Sequence, residues 1–172
     1  GVNEYAQSNP GKFVPEHYKD AGPTIGNDVV IFTNSLVIGN VNIGKNCKIG
    51  PNCYIRGNTS IGDECHIGAA VEIKNCVIGF KTNVPHLSYV GDSVIGDHCN
   101  FGAGSIVANL RHDNKNVETP INGKMFDSGR RKFGAIVGDN VKLAIKTLVY
   151  PGRKIWPEKT TAPGETVSKD LK

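Results

Sequence analysis

The chain is short of aromatic residues, has a single methionine, and contains no apolar run of the roughly 18 residues that a membrane-spanning helix needs. Aromatics make up 7% of its 172 residues, against 21 glycines. That balance favours many short turns over a helical bundle. No basic start followed by an apolar stretch marks a secretory signal. The five cysteines are odd in number and form no C-x-x-C pair, which argues against a disulfide framework and for reduced thiols in the cytoplasm. A formal net charge of +4 is mild, so no nucleic-acid partner is expected. The chain begins at Gly1 and its only methionine is Met125, so a missing upstream segment is expected.

What is present is a count of six. Ile25, Ile31, Val37, Ile43, Ile49, Ile55, Ile61, Ile67 and Ile73 follow one another at that interval without exception. Four residues after each comes a small or β-branched side chain: Val29, Ser35, Val41, Cys47, Cys53, Thr59, Cys65, Val71 and Val77. Such a period fits neither a helix nor a simple alternation. It fits short strands joined by turns, each strand placing one wide and one narrow residue inward. Glycine, asparagine and aspartate between the strands are turn formers that tolerate positive φ. The count returns, less cleanly, at Val137, Leu143, Val149, Ile155, Thr161 and Val167, where Arg153 and Lys159 occupy narrow slots. Cys47, Cys53, Cys65 and Cys99 are expected in narrow core slots, whereas Cys76 falls at a turn with no evident role. Residues 1–24 lack the repeat and read as a linker or cap. Residues 110–134 also lack it, and a stretch of that length is a functional loop or an excursion of the chain.

Departures from the repeat are the informative positions. Arg56 and Lys74 replace the glycine that usually follows the wide residue, and they lie 18 residues apart. Stacked one coil apart they would repel each other. Either both are solvated, or an anion such as a phosphate relieves the repulsion. The register slips by one from Ile73 to Ile78 and continues to Val84. In "FKTNVPHLSYVGD", residues 80–92, the count is expected to fail, displacing the chain and aiming His86 towards the Arg56–Lys74 face. His86 is then either an ordinary surface histidine or a base able to take a proton from an amine. The excursion holds six basic residues, Arg111, Lys115, Lys124, Arg130, Arg131 and Lys132, against Asp113, Glu118 and Asp127. It is a solvated loop or a seat for a small polyanion. Histidines stand at 17, 66, 86, 98 and 112, without the close pair or cysteine ligands of a zinc site, so no metal is expected.

These hexads resemble the repeat of left-handed parallel β-helices, in which three hexads make one triangular coil. An all-β, left-handed parallel β-helix over residues 25–172, with an inserted loop at 110–134, is therefore expected. From Glu72 to Lys115 the text "EIKNCVIGFKTNVPHLSYVGDSVIGDHCNFGAGSIVANLRHDNK" resembles the acetyltransferase domain of bifunctional glucosamine-1-phosphate acetyltransferase/N-acetylglucosamine-1-phosphate uridylyltransferases. "HLSYVGD" followed by "NFGAG", an asparagine and a lysine is far more specific than hexads alone, which indicate only a fold.

The resemblance implies His86 as the catalytic base and Arg56 and Lys74 as ligands of the sugar phosphate. It implies Tyr89, Asn100 and the acidic Glu72 on the sugar side. It places Ala103, Asn109, Leu110 and Lys115 at the acetyl-CoA cleft, and the basic segment suggests Arg130, Arg131 and Lys132 as further coenzyme contacts. Leu110 stands where the bacterial family has an aromatic residue. The segment "FDSGRRKFG" is similar to archaeal sugar-1-phosphate nucleotidylyltransferase/acetyltransferases, which take glucosamine- or galactosamine-1-phosphate. No nucleotidylyltransferase domain accompanies it here, so the chain reads as a detached C-terminal half. A homotrimer is implied, with an amino-sugar 1-phosphate and acetyl-CoA as ligands. Two alternatives stay open: an acyltransferase of another amine, such as a nucleotide-linked amino sugar, or a non-enzymatic trimerising or regulatory module.

Overall fold

The computed structural model describes residues 23–172; the linker or cap expected over residues 1–24 lies almost wholly outside them. Hexad after hexad forms a strand of two to four residues that pairs in parallel with the strand one coil away. Three sheets of seven, six and seven strands result, making the three faces of an all-β parallel β-helix. No helix occurs among the described residues. The wide residues are the reason the strands stack. Ile43, Ile49, Ile55, Ile61, Ile67 and Ile73 are each at most 1% exposed, and burying one such side chain contributes about 1.5–3 kcal/mol.

In-register partners show where the count changes. Along the first face run Ile43, Ile61, Ile78, Ile95, Val137 and Ile155. The second face stacks Ile49, Ile67 and Val84, then Phe101 on Leu143. The third stacks Ile55, Ile73, Val90, Val107, Val149 and Val167. From the first face to the second, and from the second to the third, the step is six residues in every coil. Only the corner from the third face back to the first varies. It is one residue short between Ile73 and Ile78, short again between Val90 and Ile95, and opens into the excursion after Val107.

The stretch 80–92 is therefore not where the count fails. Val84 and Val90 keep the interval of six, and Asn83–His86 is a regular strand paired with His66–Ala69. Neither Pro85 nor His86 displaces the chain. With the corner one residue shorter, the narrow slot moves back by one, so Cys76 fills it at 1% exposure and Val77 stands outside at 53%. The Cys76 thiol donates to the Val90 carbonyl at 3.3 Å, and burial pushes its pKa up to about 11. All five cysteines are buried and free. At the second-to-third corner, Asn34, Asn52, Ala70, Leu87 and Lys146 all take positive φ. Asparagine does so at little cost, whereas leucine does not.

The excursion leaves after Asn109 and holds an antiparallel hairpin, Glu118–Ile121 with Lys124–Asp127, which the hexad reading does not foresee. Its return is tied down by the Phe133 N–H to the Asn109 carbonyl (2.9 Å) and the Gly134 N–H to the Asp92 carbonyl (2.8 Å). Leu110 and Lys132 bridge its base. Arg153 and Lys159, the charged residues in narrow slots, are partly exposed near the last coil.

Candidate functional site

Alternation along a strand turns the residues on either side of each wide residue outward. On the third face this stacks Tyr54, Glu72 and Tyr89 in one column and Arg56, Lys74 and Gly91 in the next. Arg56 and Lys74 are one coil apart, as their spacing implies. The repulsion expected of them is absent, because each has its own carboxylate. Arg56 Nε and Nη2 both donate to Glu72 Oε1, at 2.9 and 2.7 Å. Lys74, only 8% exposed, donates through Nζ to the two oxygens of Asp92 at 3.2 and 2.9 Å. The two pairs sum to zero charge, so no external anion is required to hold the column together.

Asp92 and Asn75, which the sequence reading did not single out, complete this cluster. Asn75 Nδ2 donates to Asp92 Oδ1 at 3.0 Å. Asn109, implied at the coenzyme cleft, lies instead beside the sugar-side Tyr89: its Nδ2 donates both to Asp92 Oδ2 and to the Tyr89 hydroxyl, the latter at 3.0 Å. Asp92 closes the motif "HLSYVGD", but a hexad count assigns its position to a turn. Burial works against its charge, and hydrogen bonds from Lys74, Asn75 and Asn109 outweigh burial, leaving its pKa below the usual carboxylate range. Burial raises the Tyr89 phenol, as do the charges of Glu72 and Asp92, so the hydroxyl keeps its proton. For Arg56, burial is opposed and overcome by Glu72, and the guanidinium is held charged. Gly91 makes room for this arrangement: a Cβ there would lie 2.5 Å from Tyr89 Oη and 2.6 Å from Asn109 Nδ2.

His86 stands at the opposite edge of the same face, exposed, where the second face turns into the third. Its carbonyl accepts from the Gly104 N–H at 3.2 Å, so the Ala103–Gly104 turn stacks directly on it. Among the described residues its imidazole makes no hydrogen bond. Nearby His66 has its pKa lowered by burial first, then by Lys48 and His86. Asn100 belongs elsewhere: it pairs with Asn83 and Lys142 on the second face. In one copy it does not join Arg56, Lys74 and Tyr89. Arg130 and Lys132 line a groove of about 580 Å³ with Asn58, Asn75, Asp92 and Phe133, at the edge away from Ala103. Arg131, Leu110 and Lys115 are exposed on the excursion. No three His, Cys, Asp or Glu side chains among the described residues come together as a metal site, and no helix among them is long and apolar enough to cross a membrane.

The chain is similar to several known proteins. The chain is 45% identical over 103 residues to a bifunctional sugar-1-phosphate nucleotidylyltransferase/acetyltransferase of Sulfurisphaera tokodaii, a match covering 60% of this chain and 26% of that protein. It is 38% identical over 135 residues to the bifunctional protein GlmU of Buchnera aphidicola, covering 78% of this chain and 26% of that one. This chain thus spans about a quarter of the length of the curated relatives it matches. Among solved structures, PerB from Caulobacter crescentus, in complex with CoA and GDP-perosamine, aligns with a TM-score of 0.48 at 20% identity, covering 86% of this chain and 51% of that one. Residues 37–164 match the model of the GMPPB C-terminal domain. That match takes in the third-face cluster, the His86 edge and the excursion alike, and the chain belongs to the GMPPB C-terminal domain family.

Proposed function

We propose that the chain transfers an acetyl group from acetyl-CoA to the amino group of an amino-sugar 1-phosphate, glucosamine- or galactosamine-1-phosphate. One observation carries this reading. A single face holds an unencumbered imidazole at one edge and the Arg56–Glu72, Lys74–Asp92 and Tyr89–Asn109 pairs at the other, with the strand Tyr89–Gly91 between them. An acceptor lying across that strand would have its amine near His86 and its phosphate near Arg56 and Lys74. Near neutral pH the amine is largely protonated, so His86 takes a proton from it. The freed nitrogen lone pair attacks the thioester carbonyl carbon, the C–N bond forms, the C–S bond breaks, and coenzyme A leaves as a thiolate that takes up the second proton, released by the nitrogen as it becomes an amide. Ala103, stacked on His86, offers a small side chain past which the pantetheine arm can approach.

The reading includes a homotrimer, for which two exposed apolar columns offer a surface. Val77, Val94 and Ile136 form an exposed column on the first face, and Ile106 and Leu148 another on the third. Packing three copies would cover such columns and bring Asn100 of one copy towards the cluster of the next. The buried free thiols fit a reducing cytoplasm, and the relatives' length is consistent with a nucleotidylyltransferase domain upstream. Thiol release from acetyl-CoA, measured against amino-sugar 1-phosphates and nucleotide-linked amino sugars, tests the proposal. Turnover with the nucleotide-linked sugars alone would move the acceptor class. No turnover with any would favour a trimerising module, in which the compensated ion pairs serve structure only.

Two predictions arise from this geometry. Gly91→Ala is expected to leave the fold standing, since the atoms it meets are side-chain ends, yet lower kcat/KM for the acceptor about ten- to a hundredfold by moving Tyr89 and Asn109. A melting curve beside acceptor kinetics checks it, and unchanged kinetics would refute it. Neutralising Arg130, Arg131 and Lys132 together is expected to weaken CoA roughly three- to tenfold more than dephospho-CoA, as suits exposed charges acting on one phosphate. Because Arg130 and Lys132 face away from Ala103 within one copy, that contact would reach a neighbour's coenzyme. Equal losses for the two coenzymes would assign the triplet to the excursion's own structure.

A further inference from the structure

Asp92 is the centre of the third-face cluster, and no role in the proposed reaction has been given to it so far. Its carboxylate meets three donors on three different strands or corners: Lys74 Nζ, Asn75 Nδ2 and Asn109 Nδ2. Its side chain is 14% exposed. Its backbone is equally committed: the N–H donates to the Lys74 carbonyl at 2.7 Å, and the carbonyl accepts from Gly134 where the excursion returns.

These contacts fix the direction of the polar groups around it. An ionised carboxylate only accepts hydrogen bonds, so the edge of the Asn109 amide that faces Asp92 must be its NH2. The same Nδ2 donates to the Tyr89 hydroxyl. Two outward-facing groups follow: the Asn109 carbonyl oxygen, which accepts no hydrogen bond among the described residues, and the Tyr89 proton, which is donated to nothing among them. Without a charge at position 92, either edge of the amide would satisfy its surroundings.

We propose that Asp92 is a positioning residue for the acceptor, locking the Asn109 amide with its carbonyl towards the cleft and holding the Lys74 ammonium at the edge of the face. The cleft then presents one fixed acceptor, Asn109 Oδ1, beside one fixed donor, the Tyr89 O–H. A fixed carbonyl favours a group bearing N–H over an ether or a second carbonyl, and it turns the nitrogen lone pair away from itself. This rests on the proposed acetyl transfer, and it assigns the orientation of the acceptor's amine to a residue that touches no substrate.

Asp92→Asn keeps the shape and removes the charge. It is expected to lower kcat/KM for the amino-sugar 1-phosphate about ten- to a hundredfold, the scale of one charge-assisted hydrogen bond. The KM for acetyl-CoA should stay within about twofold, since the lock is on the acceptor side. Adding Asn109→Ala to Asp92→Asn should cost little more than Asp92→Asn alone, because both act through one amide. Equal damage to both substrates, full additivity, or undiminished kinetics would overturn the proposal. The lock is also read without turnover: in the wild type the Asn109 side-chain amide protons should give two distinct, slowly exchanging NMR signals, and in Asp92→Asn faster-exchanging ones. Identical signals in the two proteins overturn the lock. If the wild type acetylates no acceptor, the acetyl-transfer reading fails while the amide signals still decide the lock.

Discussion

Replacing His86 by alanine is expected to lower kcat for acetyl transfer about 10²–10⁴-fold, the usual contribution of a general base. Its side chain is exposed and makes no hydrogen bond among the described residues, so removing it breaks no packing. The strand is held instead through the backbone, where the His86 carbonyl meets the Gly104 N–H and Val84 fills the core. Coenzyme affinity, oligomeric state and melting temperature should therefore change little. Retained activity, or a loss that tracks unfolding, would make His86 a surface histidine and remove the mechanism.

Phe101→Ala is expected to cost about 3–5 kcal/mol of stability. Phe101 is 0% exposed, the largest of the fully buried side chains, and sits in a column otherwise filled by aliphatic residues. Backbone hydrogen bonds to the coils on both sides keep its neighbours apart, including Asn83 N–H to Cys99 O and Gly102 N–H to Leu143 O. The strands cannot close much below their spacing of about 4.8 Å, so the cavity should stay open. Denaturant unfolding at a fixed protein concentration measures the loss, since an oligomer's stability depends on concentration. A loss below about 1 kcal/mol would mean that the tube collapses around the vacancy and that its coils are not rigidly spaced.

Much of the fold was legible in the hexads because a wide inward residue is demanded at every strand, and isoleucine answers that demand at eight of the first nine. The slip between Ile73 and Ile78 was legible too, but the residue that fills the narrow slot beside it was not, and the further break expected at 80–92 is absent. Cys76 and Val77 both fit a narrow slot, so composition could not say which side of the corner had lost a residue. Arg56 and Lys74 were legible as a column, but their partners were not: Glu72 lies 16 residues from Arg56 and Asp92 lies 18 from Lys74. The first interval is two short of a coil, and the slip shortens the second coil so that Gly91, not Asp92, stacks on Lys74; neither partner stands in the column. The hairpin did carry a signal. Asn122-Gly123, flanked by Ile121 and Lys124, is a two-residue turn with positive φ at both positions, +48° and +80°, the commonest mark of a hairpin. A reading tuned to sixes passes over it.

All the variation in coil length falls at one corner, from the third face to the first, while the corner bearing His86 and the Ala103–Gly104 turn never gains or loses a residue. That edge behaves as a graduated scale. Groups mounted on it are separated by whole rungs of about 4.8 Å, and no shift between rungs is available without breaking a coil. A ligand read against such a scale is measured in steps, so lengthening it by one or two atoms should abolish its fit rather than weaken it gradually. The variable corner across the face has no such graduation, and that is where evolution, or a designer, can change what is held without moving the rung on which His86 stands.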